Sequence, residues 1–267
     1  MSINYSVSEW IAEITLDRPE ALNALDPTSM KEFFERLIEA RDDDDVRVII
    51  ITGAGDRSFC TGADLKNTAP PDSIFADGYW NSRPGAVEKG LYSRILNFSD
   101  IGIWKPMIAA VNGYCLGGGL EIALQCDLRV ASENASFGLP EAKVASIPGL
   151  GGIPNLLRAM PSAVAMKMML TGERVTAEYA LQYGLISDVW KADEMPLKAR
   201  ELAISIAANG PLAVQAIKQL AVESANMPQH QAVQMSELFW GIIRDSEDRI
   251  EGRKAFAEKR PPNFLGR

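Results

Sequence analysis

Asn112 to Ser132 reads NGYCLGGGLEIALQCDLRVAS, with Gly117, Gly118 and Gly119 at its centre and Glu121 close behind. Three successive glycines cost backbone entropy, so the chain must need bare main chain here. A phosphate does not explain them. A Walker-type loop requires Lys and then Ser or Thr after its last glycine, whereas Gly119-Leu120 follows Gly118. A dinucleotide fingerprint starting at Gly117 requires a small residue at 122, which is Ile122. Gly53-Ala54-Gly55 and Gly149-Leu150-Gly151 each lack a third glycine, with Ser58 and Pro154 in its place. A helix opening at Gly118 or Gly119 would instead point unsatisfied N–H groups out of its first turn. Without a lysine, that terminus suits a small anionic oxygen, such as the enolate oxygen formed from a thioester carbonyl. A second donor would complete an oxyanion hole. Ala63, small and in a loop after a buried strand, is the candidate. Read alone, the triplet is equally a tight strand-to-helix junction.

Working outward, MIAAV (107–111) before the triplet and LRVA (128–131) after it read as strands. Strand, crossover helix and strand describe a mostly parallel sheet. EWIAEITL (9–16) alternates like a strand and pairs with 3–7. Asp26 caps and Pro27 opens a helix to about 40, and VRVIIIT (46–52) fits a strand buried on both faces. Residues 67–85 read as a long loop holding Phe75, Tyr79 and Trp80, followed by a helix over 86–98. Beyond Pro148, one short strand (187–190) interrupts helices over 162–171, 176–182, 194–208, 211–225, 229–240 and 246–258. The expected organisation is an α/β core over 1–190 and a helical region over 191–267.

With 267 residues, 47% of them hydrophobic, the chain can bury a large core. No apolar run reaches the roughly 18 residues that a membrane span needs. The first twenty residues lack a basic segment followed by an apolar one, so a secretory signal is not expected. Cys60, Cys115 and Cys126 have no paired-ligand spacing and lie far in sequence from His230, the one histidine, so we expect reduced thiols, a cytoplasmic protein and no metal. A net charge of -8 argues against a nucleic-acid surface. From Arg249 to Arg267, however, six Lys or Arg face two Glu. That stretch is either a solvated helix face ending in a tail or a means of capturing a phosphate-bearing ligand.

RSFCTGADL (57–65), the glycine segment and FGLPEAKVASIPGLGG (137–152) resemble the three core motifs of the enoyl-CoA hydratase/isomerase, or crotonase, superfamily. LDRPEALNAL (16–25) and EGRKAFAEKRPPNF (251–264) resemble its terminal motifs, so the likeness spans essentially the whole chain. It implies a spiral of ββα units followed by a C-terminal helical region that builds trimers or hexamers. It places the oxyanion donors at the main-chain N–H groups of Ala63 and Gly118. Family hydratases carry two glutamates, retained here as Glu121 and Glu141, whereas isomerases generally keep only the second.

Two carboxylates suit the addition of water across a conjugated C=C, which needs a base at the water and an acid to protonate C2. Like-charge repulsion keeps one proton on the pair near neutral pH. Glu121, in the first turn of a helix, is expected to be the anion and base, which leaves Glu141 as proton donor. No prosthetic group is implied; coenzyme A enters as part of the acyl-CoA substrate. Arg57 is expected at the CoA phosphates and main chain around Leu22, Ala24, Asp64 and Leu65 along the pantetheine and adenine. Phe256 and Lys259 match positions that reach the nucleotide from a neighbouring subunit. Tyr79, Trp80 and Trp240 either close a short acyl pocket or serve as core. Chain length and the two glutamates also resemble the branch of the family that hydrates methylthioacryloyl-CoA. There, addition at C3 would give a hemithioacetal that expels methanethiol, with thioester hydrolysis and decarboxylation to acetaldehyde following. An isomerase, or a non-catalytic binding relative, are the alternatives. One departure stands out: Ile153-Pro154-Asn155 replaces the family's common Thr-Gln-Arg, and the proline is expected to alter the helix start behind Glu141.

Overall fold

The computed structural model describes residues 2–66, 79–80, 82–88, 91 and 94–267. The chain opens as an antiparallel hairpin of β1 (Ile3–Ser8) and β2 (Ile11–Leu16), followed by helix α1 (Pro27–Asp42). The Asp26 side chain caps α1 by accepting from the Ser29 N–H, and Pro27 occupies a first-turn position where no N–H is needed. From β3 (Val48–Gly53) onward the chain winds as a spiral. Each turn gives its first strand to a larger sheet and its second to a smaller one. Thus β3 is followed by β4 (Ser58–Cys60), β5 (Met107–Val111) by β6 (Tyr114–Leu116), and β7 (Leu128–Ser132) by β8 (Ser136–Gly138). Helix α2 (Arg83–Glu88) lies in the first turn and α3 (Gly118–Gln125) closes the second.

The larger sheet runs β1-β2-β3-β5-β7-β10, where β10 is Asp188–Trp190, and is parallel from β2 onward. The smaller runs β4-β6-β8-β9, where β9 is Val175–Thr176. Period-two geometry explains the apolar run in β3. Ile49 and Ile51 enter the main core with Phe33, Leu37 and Phe137, while Val48 and Ile50 face the opposite side of the sheet. There α7 (Met195–Ala207) lies across the strands, bringing Ala199, Ala203 and Ala207 down on one stripe. Small side chains at every fourth position let that helix approach closely.

Helices α4 (Gly152–Ala159), α5 (Ser162–Thr171) and α6 (Ala177–Gln182) fill the stretch before β10, and α8 (Pro211–Ser224), α9 (Gln229–Arg244) and α10 (Glu247–Glu258) follow α7. Neither α8 nor α9 buries a residue in the single chain, and Ile217, Leu238, Trp240 and Ile242 are more than half exposed. The three cysteines are free and buried, and burial pushes the Cys60 and Cys126 thiols up to about 12.

The larger sheet and the late helices follow the sequence reading closely. The ββα units implied by the family resemblance account for the second, smaller sheet, although its short strands are not placed by the residues themselves; the helix start expected near Ile153-Pro154-Asn155 is that of α4. Of the helix expected over 86–98, residues 86–88 fall in α2 and Phe98 opens a 3-10 turn (Phe98–Asp100), while residues 89–90 and 92–93 lie outside the described residues. Of the loop expected over 67–85, residues 67–78 and 81, including Phe75, lie outside the described residues. No helix among the described residues is long and apolar enough to cross a membrane.

Candidate active site

The three glycines of the quoted segment answer three different demands. Gly117 turns the chain between β6 and α3 with φ 55° and ψ −129°, a conformation that L side chains rarely adopt. At Gly119, a Cβ would lie 2.1 Å from the Cys60 carbonyl oxygen, so α3 packs on β4 only without a side chain there. At Gly118, a Cβ would stand 3.3 Å from Gly62 Cα and 3.8 Å from Ala63 N. The Gly118 N–H belongs to the first turn of α3, which offers it no intrahelical acceptor.

Ala63 is held opposite by a short parallel bridge to Leu25. Leu25 N–H donates to Gly62 O at 2.8 Å and Asp64 N–H donates to Leu25 O at 2.9 Å. Those two bonds flank Ala63 and leave its own N–H out of the bridge. The structure thus brings together the two expected donors.

One turn into α3, Glu121 is 3% exposed. Its Oε1 accepts from Leu150 N–H at 2.7 Å and Gly152 N–H at 2.9 Å. A Cβ on Gly152 would come within 2.8 Å of that oxygen, so the residue must be small for the bond to form. Burial dominates the titration of Glu121 and pushes it up to about 7. The peptide donors oppose that rise, and the Glu141 charge adds to it. Glu141 sits on a 3-10 turn (Glu141–Val144) after β8, itself tied to the glycine segment by Gly117 N–H donating to Gly138 O at 2.9 Å. Its Oε1 lies 3.3 Å from where a Gly117 Cβ would be. Its Oε2 is buried with no hydrogen-bond partner among the described residues, and burial raises its pKa. Two carboxyls, both made harder to ionise, therefore share this end of the site.

Pro154 does not disturb the helix it begins. It falls in the first turn of α4, where a missing N–H leaves no bond unmade. Moreover, α4 starts behind Glu121, through Gly152 N–H, rather than behind Glu141. Asn155 lines a cavity of about 990 Å³ that runs beside Leu124, Gln125 and the Gly149–Gly151 turn. Tyr79, Trp80, Phe98, Trp104 and Arg158 also line it, although the two glutamates do not. Trp240, considered for this pocket from sequence, is instead on the exposed face of α9 with Arg244 over its ring.

The remaining expected contacts divide into two groups. Leu22, Ala24, Asp64 and Leu65 belong to the paired segments that flank the Leu25–Ala63 bridge, and Thr61 Oγ1 donates to Leu22 O at 3.3 Å. Arg57 is exposed beside them, donating to Pro19 O at 2.8 Å. Phe256 and Lys259 are not brought to this site within one chain. Phe256, 87% exposed, lines a separate cavity of about 640 Å³ with Leu212, Ile243 and Phe264. Lys259 is exposed and ends α10 in a left-handed conformation. Sequence reading missed the Leu150 and Gly152 donors, because nothing local to either segment shows that the turn at 149–152 folds back onto a side chain 29 and 31 residues earlier.

A family profile described as enoyl-CoA hydratase/isomerase matches residues 6–267. The (E)-benzylidenesuccinyl-CoA hydratase of Thauera aromatica is 49% identical over 266 residues, covering 100% of both chains. The carnitinyl-CoA dehydratase of Proteus mirabilis strain HI4320 is 39% identical over 270 residues, covering 100% of this chain and 99% of the relative. Among solved structures, an enoyl-CoA hydratase from Bacillus anthracis superposes with a TM-score of 0.90 at 33% identity over 100% of both chains.

Proposed function

This chain belongs to the enoyl-CoA hydratase/isomerase family, and from that premise we propose that it adds water across the C=C of an α,β-unsaturated acyl-CoA. The observation that carries the reading is the pair of buried Glu121 and half-buried Glu141, whose Oε2 is covered, beside the Ala63 and Gly118 N–H groups, which have no acceptor among the described residues. The thioester oxygen binds between those donors, which stabilise it most when it becomes an enolate oxygen. Glu121, anchored through Oε1, presents its other oxygen to the water. A carboxyl near 7 is both half ionised at neutral pH and basic enough to take a proton. Glu141, whose Oε2 has no donor among the described residues to stabilise a charge, carries the proton delivered to C2. Reversal of the same steps dehydrates a 3-hydroxyacyl-CoA. An isomerase would need Glu141 alone, and the buried, anchored Glu121 weighs against it.

Coenzyme A lies along Leu22, Ala24, Asp64 and Leu65 with its phosphates toward Arg57. A neighbouring subunit supplies Phe256 and Lys259. The apolar faces of α8 and α9, uncovered in one chain, support assembly into a trimer or a pair of trimers.

For the acyl group, the 990 Å³ cavity next to the Glu121 anchor favours a bulky substituent at the β-carbon. Its aromatic lining fits an aryl group of the kind named for the Thauera relative. A methylthioacryloyl group would leave most of that space to water. Its hydration, with loss of methanethiol and release of CoA, is the second reading, supported by the same carboxylate pair. The test is a panel of crotonyl-, methylthioacryloyl-, cinnamoyl- and benzylidenesuccinyl-CoA. Loss of the conjugated thioester absorbance reports hydration and a thiol reagent reports free CoA. Bleaching strongest with the aryl substrates and no thiol release is expected. Bleaching of none, or formation of the band from a 3-enoyl thioester, would refute hydration.

A further inference from the structure

The segment LDRPEALNAL contributes more than main chain to this site. Its Arg18 side chain reaches across to the oxyanion loop and is largely covered, at 17% exposure. One guanidinium nitrogen donates to Ala24 O at 2.7 Å and lies 3.3 Å from Asp26. The other donates to Asp64 Oδ2 at 3.0 Å, and the Asp64 carboxylate is 9% exposed. Asp64 directly follows Ala63, and Ala24 directly precedes the Leu25 that bridges Ala63. A single planar fork thus grips both sides of the two-residue bridge that aims the Ala63 N–H. Arg18 is itself anchored: its N–H donates to Asn23 Oδ1 at 3.0 Å, and Asn23 Nδ2 donates to Ala54 O at 3.0 Å and Ser58 O at 2.8 Å.

We propose that Arg18 is a positioning residue for the thioester-binding N–H of Ala63, acting through Asp64 and Ala24. The proposal rests on the reading of Ala63 and Gly118 as the donors to the substrate oxygen. Lysine cannot replace the fork, since one ammonium cannot span a carbonyl and a carboxylate with fixed planar geometry. Removing the guanidinium would cut the tie between Asp64 and Ala24 and take the cation from the covered Asp64 carboxylate, and the loop would shift. Misplacing a catalytic group by about 1 Å costs on the order of 10²-fold in rate.

The test uses the whole chain and a cinnamoyl-CoA carrying a para-dialkylamino group. That chromophore absorbs at longer wavelength when its thioester carbonyl is polarised. We expect the wild type to red-shift the bound probe. At saturating probe, Arg18→Lys and Arg18→Gln should give a smaller shift, with kcat on the hydrated substrate lowered about 10-fold or more. Added free guanidinium should restore part of both in Arg18→Gln. Should the Arg18 variants fail to fold, Asp64→Asn, which keeps shape but removes the charge facing Arg18, carries the same expectation. A full red shift in the variants alongside a lowered melting temperature would make Arg18 merely structural and overturn the proposal. Absence of any shift in the wild type would instead remove the donor reading on which it stands.

Discussion

Replacing Glu121 by Gln should strengthen the fold at high pH while lowering turnover by about 10²–10⁴-fold. The glutamine keeps an oxygen for the Leu150 and Gly152 N–H groups, so the 2.7 and 2.9 Å bonds survive. What disappears is the need to hold a carboxylate where burial resists its charge. The ordinary carboxyl value of 4.5 becomes about 7 in the fold. At about 1.4 kcal/mol for each pH unit, ionised Glu121 costs the native state on the order of 3 kcal/mol. The sign follows from proton linkage. An acid whose folded pKa exceeds its unfolded value binds its proton more tightly when folded. The contribution of Glu121 to wild-type stability therefore declines as pH rises from about 4.5 to about 7 and is level above. Urea denaturation of wild type and Glu121→Gln at fixed protein concentration, from pH 4.5 to 8.5, measures the difference. The two should agree at the acid end, and the variant should lead by up to 3 kcal/mol above pH 7. A difference that is constant across this range, or a variant weaker at pH 8, would refute the reasoning.

Four further outcomes follow from the site. Glu121→Ala and Glu141→Ala should each lower kcat by about 10²–10⁴-fold, and the double variant should lose much less than the product, because both act on one water. In wild type, kcat/KM should fall about tenfold per pH unit below about 7, since protonated Glu121 cannot activate water; an unchanged rate at pH 5 would exclude it as the base. Gly118→Ala places a methyl 3.8 Å from Ala63 N and should cost about 10²–10³-fold in kcat with the fold intact by circular dichroism. Lys259→Ala should raise KM for CoA thioesters at low salt, with the penalty shrinking at high salt, and sedimentation should give a trimer or hexamer; a fully active monomer would overturn the shared-site reading.

The strands of the larger sheet were legible because their residues obey local rules. VIII in β3 and MIAAV in β5 are β-branched or apolar throughout, as strands covered on both faces must be. Asp26-Pro27 announces α1 for an equally local reason, a side chain that caps and a ring with φ already fixed. SFC, YCL and SFG are only three residues each, too short for any period, and become strands because the spiral stacks β4, β6 and β8 side by side. The chemistry divides along the same line. Gly117–Gly119, Glu121 and Glu141 mark the candidate site from sequence, since bare backbone and carboxylates are residue-type signals. The titration of Glu121 depends on neighbours remote in the chain, Leu150 and Gly152, 29 and 31 residues beyond it, and the loop that carries Ala63 is tied by Arg18, 46 residues before Asp64. Burial and peptide dipoles act through distance in space, and only the folded chain fixes those distances.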